Sequence, residues 1–441
     1  MADTDMIPDD DAQRAFDAFT QAGQAIDRAV WLARMPRADG IARLVALPMP
    51  ARAEVFAYMP LDAQADFTRL LPEGDLATLV NGLDADDRAD LYNHLPPEEG
   101  TRLLRGLTPE DRADVHRLAA FGEATAGAIM TSDFATLDPA MTAAQAIDAL
   151  RRAAPDSETI YRSYVTDAGG HLIGAVRLHH LILAPDDATV GALMDKAPVS
   201  VTLDTGREEV ARVIARYDVL AVPVVDAENR LSGIVTHDDA ADALQAETTE
   251  DFQKISTVMP FSQSLRDAGF RVLYSRRIVW LALLVFGNLF SGAGIAFFED
   301  TILAHVALVF FLPLLIDSSG NAGSQAATLM VRALATGDVE MSDWGRLILR
   351  EVGVAAALGL TMAAVVLPLG AWRGGPDVAM AVGLTMVVVV MIGSLVGMSL
   401  PFLLSRLRLD PATASGPLVT TISDAVGVLV YFSIATAVLA I

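Results

Sequence analysis

The sequence predicts a multidomain membrane protein: an α-helical, superhelical N-terminal domain, a tandem pair of α/β units, a connecting helix and an all-α domain of five transmembrane spans. Three observations predict it. Charge divides sharply along the 441 residues: 261–441 hold 11 acidic residues and 10 arginines, leaving 44 of the 55 acidic and 22 of the 32 basic residues in 1–260. The nearly neutral part is also the apolar part. Within the acidic part, proline-punctuated amphipathic segments precede two copies of one α/β pattern. The expected boundaries are 1–122, 123–186, 187–245, 246–270 and 271–441.

The chain begins "MADTDMIPDDDAQ", with no basic stretch leading into an apolar core, so no cleaved signal peptide is expected. Residues 12–120 read as short amphipathic helices. Leu47-Pro48, Met59-Pro60, Leu71-Pro72 and Leu95-Pro96 recur at intervals of about 11–13 residues, the spacing of stacked helices in a superhelical array. "TPED" at 108–111 predicts a helix start, with Thr108 as cap and acids in the first turn.

Residues 125–245 contain strand, helix, strand, turn, strand, helix twice over. "DAGGHLIGAV" and "DAENRLSGIV" are matching hairpins with Gly or Asn at the turn. Residues 239–256 continue as an acidic helix. Asp239 and Asp242 are i,i+3, as are Glu247 and Glu250, and Glu247 and Asp251 are i,i+4. Like charges on one face repel. Either the face is solvated or a cation bridges it.

A span needs about 20 mostly apolar residues. Five candidates follow: 278–298, Ile302 to about Thr336, about 347–371, about 378–404 and about 412–441. Arg266, Arg271, Arg276 and Arg277 precede the first. Arg332, Arg346 and Arg350 lie between the second and third, and Arg406 and Arg408 between the fourth and fifth. The other loops hold Arg373 with Glu299, Asp300 and Asp377. This bias places the N-terminal domains in the cytoplasm and the C-terminus outside, as an odd number of spans requires.

Two membrane stretches are unusual. "IDSSGNAGSQAAT" (316–328) reads as a break in the second span, and "DPATASGPLVTTIS" leads into Asp424 inside the fifth. Small residues there suit close helix packing. A break would instead free carbonyls toward water or an ion. Asp424 is either bonded to neighbouring hydroxyls or part of an ion pathway. Asp317 is expected to cap or orient the break.

Other classes fit less well. The acidity argues against nucleic acid. Without cysteine there are neither disulfides nor thiolate metal sites. The seven histidines lack zinc-ligand spacing, His179-His180 reads as surface, and no P-loop is present, so an enzyme is not expected.

"PLLIDSSGNAGSQAATLMVRALATGDV" (313–339) and "LDPATASGPLVTTISDAVGVLVYF" (409–432) resemble signature segments of MgtE-type magnesium channels, and the repeated α/β units resemble a tandem pair of cystathionine-β-synthase (CBS) domains. The resemblance covers nearly the whole chain. It implies a multi-pass homodimer of the plasma (inner) membrane, with an ion pathway on the two-fold axis lined by spans two and five. Asp424 matches the pore aspartate, the carbonyls of Gly320 and Thr420 match pore carbonyls, and Asp410 matches an acid near the cytoplasmic mouth. Ser324 stands where family members often carry Asn. The same resemblance places regulatory Mg²⁺ ligands at Glu208, Asp218, Asp239, Asp242, Glu247, Glu250 and Asp251, with Asp86 and Asp90 in the N domain. The connecting helix would then act as a plug, closing the pore when cytosolic Mg²⁺ bridges these acids. Thr236 and Asp239 of "THDD" match a CBS ribose-binding pattern for ATP or another adenine nucleotide, or simply cap a helix. The alternatives are a secondary transporter coupled to Na⁺ or H⁺, and a membrane scaffold without transport.

Overall fold

The computed structural model describes residues 23–122, 124–261, 265 and 268–439. The acidic N-terminal stretch and Arg266 lie outside the described residues. The chain divides into two compact units, Met1–Gln245 and Ala246–Ile441.

The first unit opens with α1 (Ala25–Arg34), α2 (Arg37–Ala46), α3 (Ala51–Ala57), α4 (Leu61–Leu70), α5 (Glu73–Asn81), α6 (Ala85–His94), α7 (Pro97–Leu104) and α8 (Pro109–Leu118). Pro36, Pro50, Pro60, Pro72 and Pro96 each stand immediately before a helix. Proline cannot donate to the preceding turn and drives the residue before it out of the helical region. Met35, Leu71 and Leu95 are accordingly extended. With Met59 they are buried, so these four apolar–proline pairs both end a helix and supply a core side chain, whereas Leu47 before Pro48 is only partly buried. Every helix from α1 to α6 packs against the next but one, the pattern expected of a superhelical array. Thr108 caps α8 by accepting from Asp111 N at 3.1 Å.

Two three-stranded sheets follow, and they repeat one plan. β1 (Phe134–Leu137) pairs parallel with β2 (Thr159–Thr166), which pairs antiparallel with β3 (Leu172–Arg177). β4 (Val201–Thr202), β5 (Ala221–Val225) and β6 (Leu231–Thr236) do the same. Helices α9 (Ala143–Ala153), α10 (Leu178–Leu183), α11 (Val190–Leu193) and α12 (Arg207–Tyr217) accompany them. The hairpins match atom for atom. Asp167 Oδ1 accepts from Gly169 N and His171 N, and Asp226 Oδ1 accepts from Glu228 N and Arg230 N. Gly170 (φ 81°) and Asn229 (φ 64°) occupy the left-handed position that favours these residues.

Helix α13 (His237–Ile255) runs on from β6 and ends in the second unit. There α14 (Phe270–Phe297), α15 (Glu299–Ala304), α16 (Ala307–Ala335), α17 (Trp344–Arg406) and α18 (Gly416–Leu439) form the membrane portion. Among the described residues, Phe270–Phe297, Met341–Arg406 and Gly416–Leu439 are long and apolar enough to cross a membrane. The 63 residues of α17 would measure about 95 Å if straight, three times a hydrocarbon core of about 30 Å. They fold back at Gly375, whose φ of 84° and ψ of 178° are non-helical, followed by Pro376. The two arms touch closely enough that a Cβ on Gly370 would lie 2.7 Å from Ala379 Cα. Those arms are the third and fourth expected spans. Helix α16, the second, has spanning length, and its polar run lowers its apolarity.

One expectation is corrected here. Residues 316–328 do not break the second span: α16 is helical throughout Ala307–Ala335. Its glycines serve packing instead. A Cβ on Gly393 would lie 2.2 Å from Ser319 O, one on Gly323 2.6 Å from Gly393 O, and one on Gly397 2.0 Å from Gly323 O. Backbone meets backbone between α16 and α17, and Ser319 Oγ donates to Val389 O at 2.8 Å. Those contacts hold the glycine-rich stretch helical despite its low intrinsic propensity.

Gly397→Val should therefore force α16 and α17 apart and cost at least about 1–3 kcal/mol. Gly353→Ala, with open space around it inside the same helix, should hold or slightly raise stability. Thermal unfolding of the purified proteins in detergent compares the two.

Candidate functional site

In the membrane unit, α16 and α18 cross where the sequence placed its candidate carbonyls. A Cβ on Gly320 would lie 2.8 Å from Thr420 Cγ2, so Gly320 and Thr420 adjoin. Both residues are inside regular helices, and their carbonyls are not freed by any break. Thr420 and Thr421 turn their hydroxyls back to Pro417 O, at 2.9 and 2.8 Å. Ser324 donates to Gly416 O at 3.3 Å, a second tie between the two helices.

Asp424 is half-buried one turn further along α18. Asp317 lies on α16, about one turn before Gly320 at the same crossing. Asn321 donates to Asp317 at 3.1 Å across one helical turn, and both side chains are exposed on the single chain. With α16 continuous, Asp317 neither caps nor orients a break. Sequence reasoning missed a further membrane carboxylate: Glu351 on the first arm of α17 accepts from buried Ser394 on the second. Its signal was the lone acid in "LREVGVAAALG".

At the end of the fourth span, Asp410 caps the following turn by accepting from Ala412 N at 2.8 Å. It also receives the ammonium of Lys254, the next-to-last residue of α13. Lys254 reaches Glu250 as well, at 2.7 Å.

The first unit contains an acidic cluster. Asp84, Asp86 and Asp87 open α6, Asp238 and Asp239 open α13, and Glu158 precedes β2. Burial, and then the charges of Asp84 and Asp239, push the Asp87 carboxyl up to about 7. Burial, then the same two neighbours, pushes Glu158 up to about 8. Burial raises Asp239 to about 6 against the hydrogen bond from Thr236. Asp86 is held well above the carboxylate range, first by burial and then by Asp239, and its Oδ1 is buried with no hydrogen-bond partner. The charge of Asp90, one turn on and exposed, is felt at Asp87. Buried Arg88 is engaged by Asp111 at 3.4 Å and Asp133 at 3.6 Å. Oxygen donors in this number, with an orphaned carboxylate oxygen, fit a hydrated divalent cation. Among the described residues no three acidic or histidine side chains converge on one metal position, so in the single chain the cluster is a negative field rather than a finished cage.

The remaining candidates lie on α12 and α13. Glu208 meets Arg212 at 3.6 Å at the start of α12, whereas Asp218 ends that helix in the left-handed conformation (φ 51°). Asp242 is exposed on α13, and Glu247, Glu250 and Asp251 follow on the same helix, about one and a half to two and a half turns later. Thr236 donates to Asp239, the arrangement of the helix-start reading.

The acidic cluster makes folding pH-dependent in a fixed direction. Carboxyls raised in the folded state bind protons that the unfolded chain has released, so their stabilising contribution is present below pH about 4 and is lost as pH rises through 6–8. In EDTA the first unit should resist proteolysis less at pH 8 than at pH 5. Glu158→Gln should raise resistance at pH 8 and leave it unchanged at pH 5, and Mg²⁺ should protect the wild type at pH 8.

Comparison with known proteins gives the same architecture. The family described as "Divalent cation transporter" (MgtE) matches residues 312–434, "MgtE intracellular N domain" matches 24–124, and "CBS domain" matches 126–187 and 190–246. "Magnesium transporter MgtE" of Thermus thermophilus is 43% identical over 323 residues, covering 73% of this chain and 72% of that protein. The protein of the same name from Enterococcus faecalis is 35% identical over 329 residues, covering 73% and 71%. A solved structure, "Crystal structure of the cytosolic domain of the Mg2+ channel MgtE in complex with ATP", aligns with a TM-score of 0.50 at 35% identity, over 53% of this chain and 98% of that one. The helical array and the doubled α/β unit thus match a relative in sequence and in fold, the membrane helices match the family in sequence, and the chain belongs to the MgtE family of magnesium transporters.

Proposed function

We propose that this chain, as a homodimer in the plasma (inner) membrane, is a Mg²⁺-selective channel closed by cytosolic Mg²⁺, with its N-terminal domains in the cytoplasm and its C-terminus outside. The observation that carries the reading is the placement of Asp317 and Asp424 within about one helical turn of the Gly320–Thr420 crossing, on α16 and α18. Acids in an apolar helix require a counter-charge or water. On a single chain Asp317 and Asn321 are exposed, and lipid cannot solvate them. A second copy related by a two-fold axis would enclose them around an aqueous path. Mg²⁺ sheds water reluctantly, so carboxylates selecting a hydrated ion suit it better than a tight cage.

Gating follows from charge. The first 260 residues carry 22 more acids than bases. Mg²⁺ at Asp86, Asp90, Asp239 and Asp242, and at Glu208, Asp218, Glu247, Glu250 and Asp251, would neutralise that excess and favour the closed state. Loss of Mg²⁺ restores the repulsion, and the equilibrium shifts toward open. A relative's cytosolic domain is known in complex with ATP. Here an adenine nucleotide at Thr236 and Asp239 would have to displace their mutual hydrogen bond.

Asp424→Ala should lower Mg²⁺ flux into proteoliposomes by more than about tenfold while dimers still form; wild-type flux would remove Asp424 from the pathway. In patch recordings, neutralising Glu247, Glu250 and Asp251 together should leave the channel open at Mg²⁺ concentrations that close the wild type. A reversal potential that ignores Na⁺ and pH gradients separates a channel from a coupled transporter.

A further inference from the structure

The last turn of α13 is held unusually firmly. Thr257, a buried β-branched residue, sits in the left-handed region with φ 55°. Such a residue stays there only when its surroundings impose it. Thr257 N donates to Lys254 O at 2.9 Å and Val258 N to Gln253 O at 2.8 Å, closing the helix C-terminus. Gln253 and Phe261 exchange two hydrogen bonds, at 2.9 and 3.2 Å. Met259 N donates to Arg276 O at 2.8 Å, tying the turn to α14.

These bonds aim one side chain. Lys254 is 18% exposed and shared between Glu250 and Asp410. Next to it, Ile255 packs on a small apolar cluster of Val331 from α16 with Ala412 and Ala414 from the loop before α18. Burial alone would lower the Lys254 pKa, but the hydrogen bonds with Asp410 and Glu250 outweigh it and hold the ammonium charged. The lysine thus satisfies, from within the chain, Asp410 at the end of the fourth span and Glu250, which the gating reading assigns to Mg²⁺.

We propose that Lys254 is a resident cationic latch: its ammonium docks the end of the connecting helix on the Asp410 loop without any metal, and so contributes to closure when Mg²⁺ is scarce. At Glu250 Mg²⁺ and the lysine then act on the same carboxylate, one a soluble and one a tethered cation. This deepens the gating reading and rests on it for the consequence to flux. The docking itself is physical and is measured without flux.

The chain has no cysteine, so Ala412→Cys provides a single thiol beneath the docked turn, at a position only 1% exposed. Its labelling rate with a membrane-impermeant maleimide is read on the full-length protein in nanodiscs, in EDTA and in Mg²⁺. Lys254→Met keeps the apolar stem and removes the charge. It should speed labelling in EDTA by about tenfold, the weight of a charged hydrogen bond, and Lys254→Arg should stay near the wild-type rate. Equal rates for all three would overturn the latch, as would a Lys254→Arg rate as fast as that of Lys254→Met, since charge would then be irrelevant. Faster labelling of Lys254→Met with no gain in Mg²⁺ flux at low Mg²⁺ would support the latch and count against the channel-gating reading instead.

Discussion

The constraint on which the rest depends is that carboxylates withdrawn from water need a positive charge nearby. Withdrawal makes ionisation costly, and neighbouring acids add to the cost. The chain concentrates acids in just such places: half-buried Asp424 in the membrane unit, and Asp86, Asp87, Glu158 and Asp239 in the first unit. Arg88 meets part of the demand, through Asp111 and Asp133, and Lys254 another part. What remains has the chemistry of a hard, oxygen-seeking cation, the class of ion that the family's name describes.

Packing and chemistry share residues in the membrane. The glycines that let α16 lie backbone to backbone against α17 also leave the opposite side of α16 to Asp317 and Asn321. The Gly320–Thr420 approach sets the crossing of α16 and α18 and hence the separation of Asp317 from Asp424. A substitution that spread these helices would disturb the acids without touching them, so loss of transport in such a variant carries no information about ligands.

Much of this was legible in the sequence because local rules and tertiary structure agree. The apolar–proline pairs end helices for steric reasons that hold in any context, and Gly170 and Asn229 occupy the turn positions their backbone freedom suits. Asp424 was conspicuous as a lone acid in an apolar run. Where local preference and packing disagree, the sequence misled. Residues 316–328 look like a break by composition, yet contact with α17 keeps them helical. Glu158 and Asp87 are distant in the chain and carry no shared motif, so only the fold brings their charges together. The Lys254–Asp410 pair spans 156 positions and was equally invisible.

Anomalous scattering from crystals of the full-length protein grown with Mn²⁺ tests the need for cations most directly. The expected map has a peak on a two-fold axis between Asp424 side chains and further peaks among Asp86, Asp87, Glu158 and Asp239. A map with Asp424 turned away from any such axis, and no metal at either cluster, would contradict it.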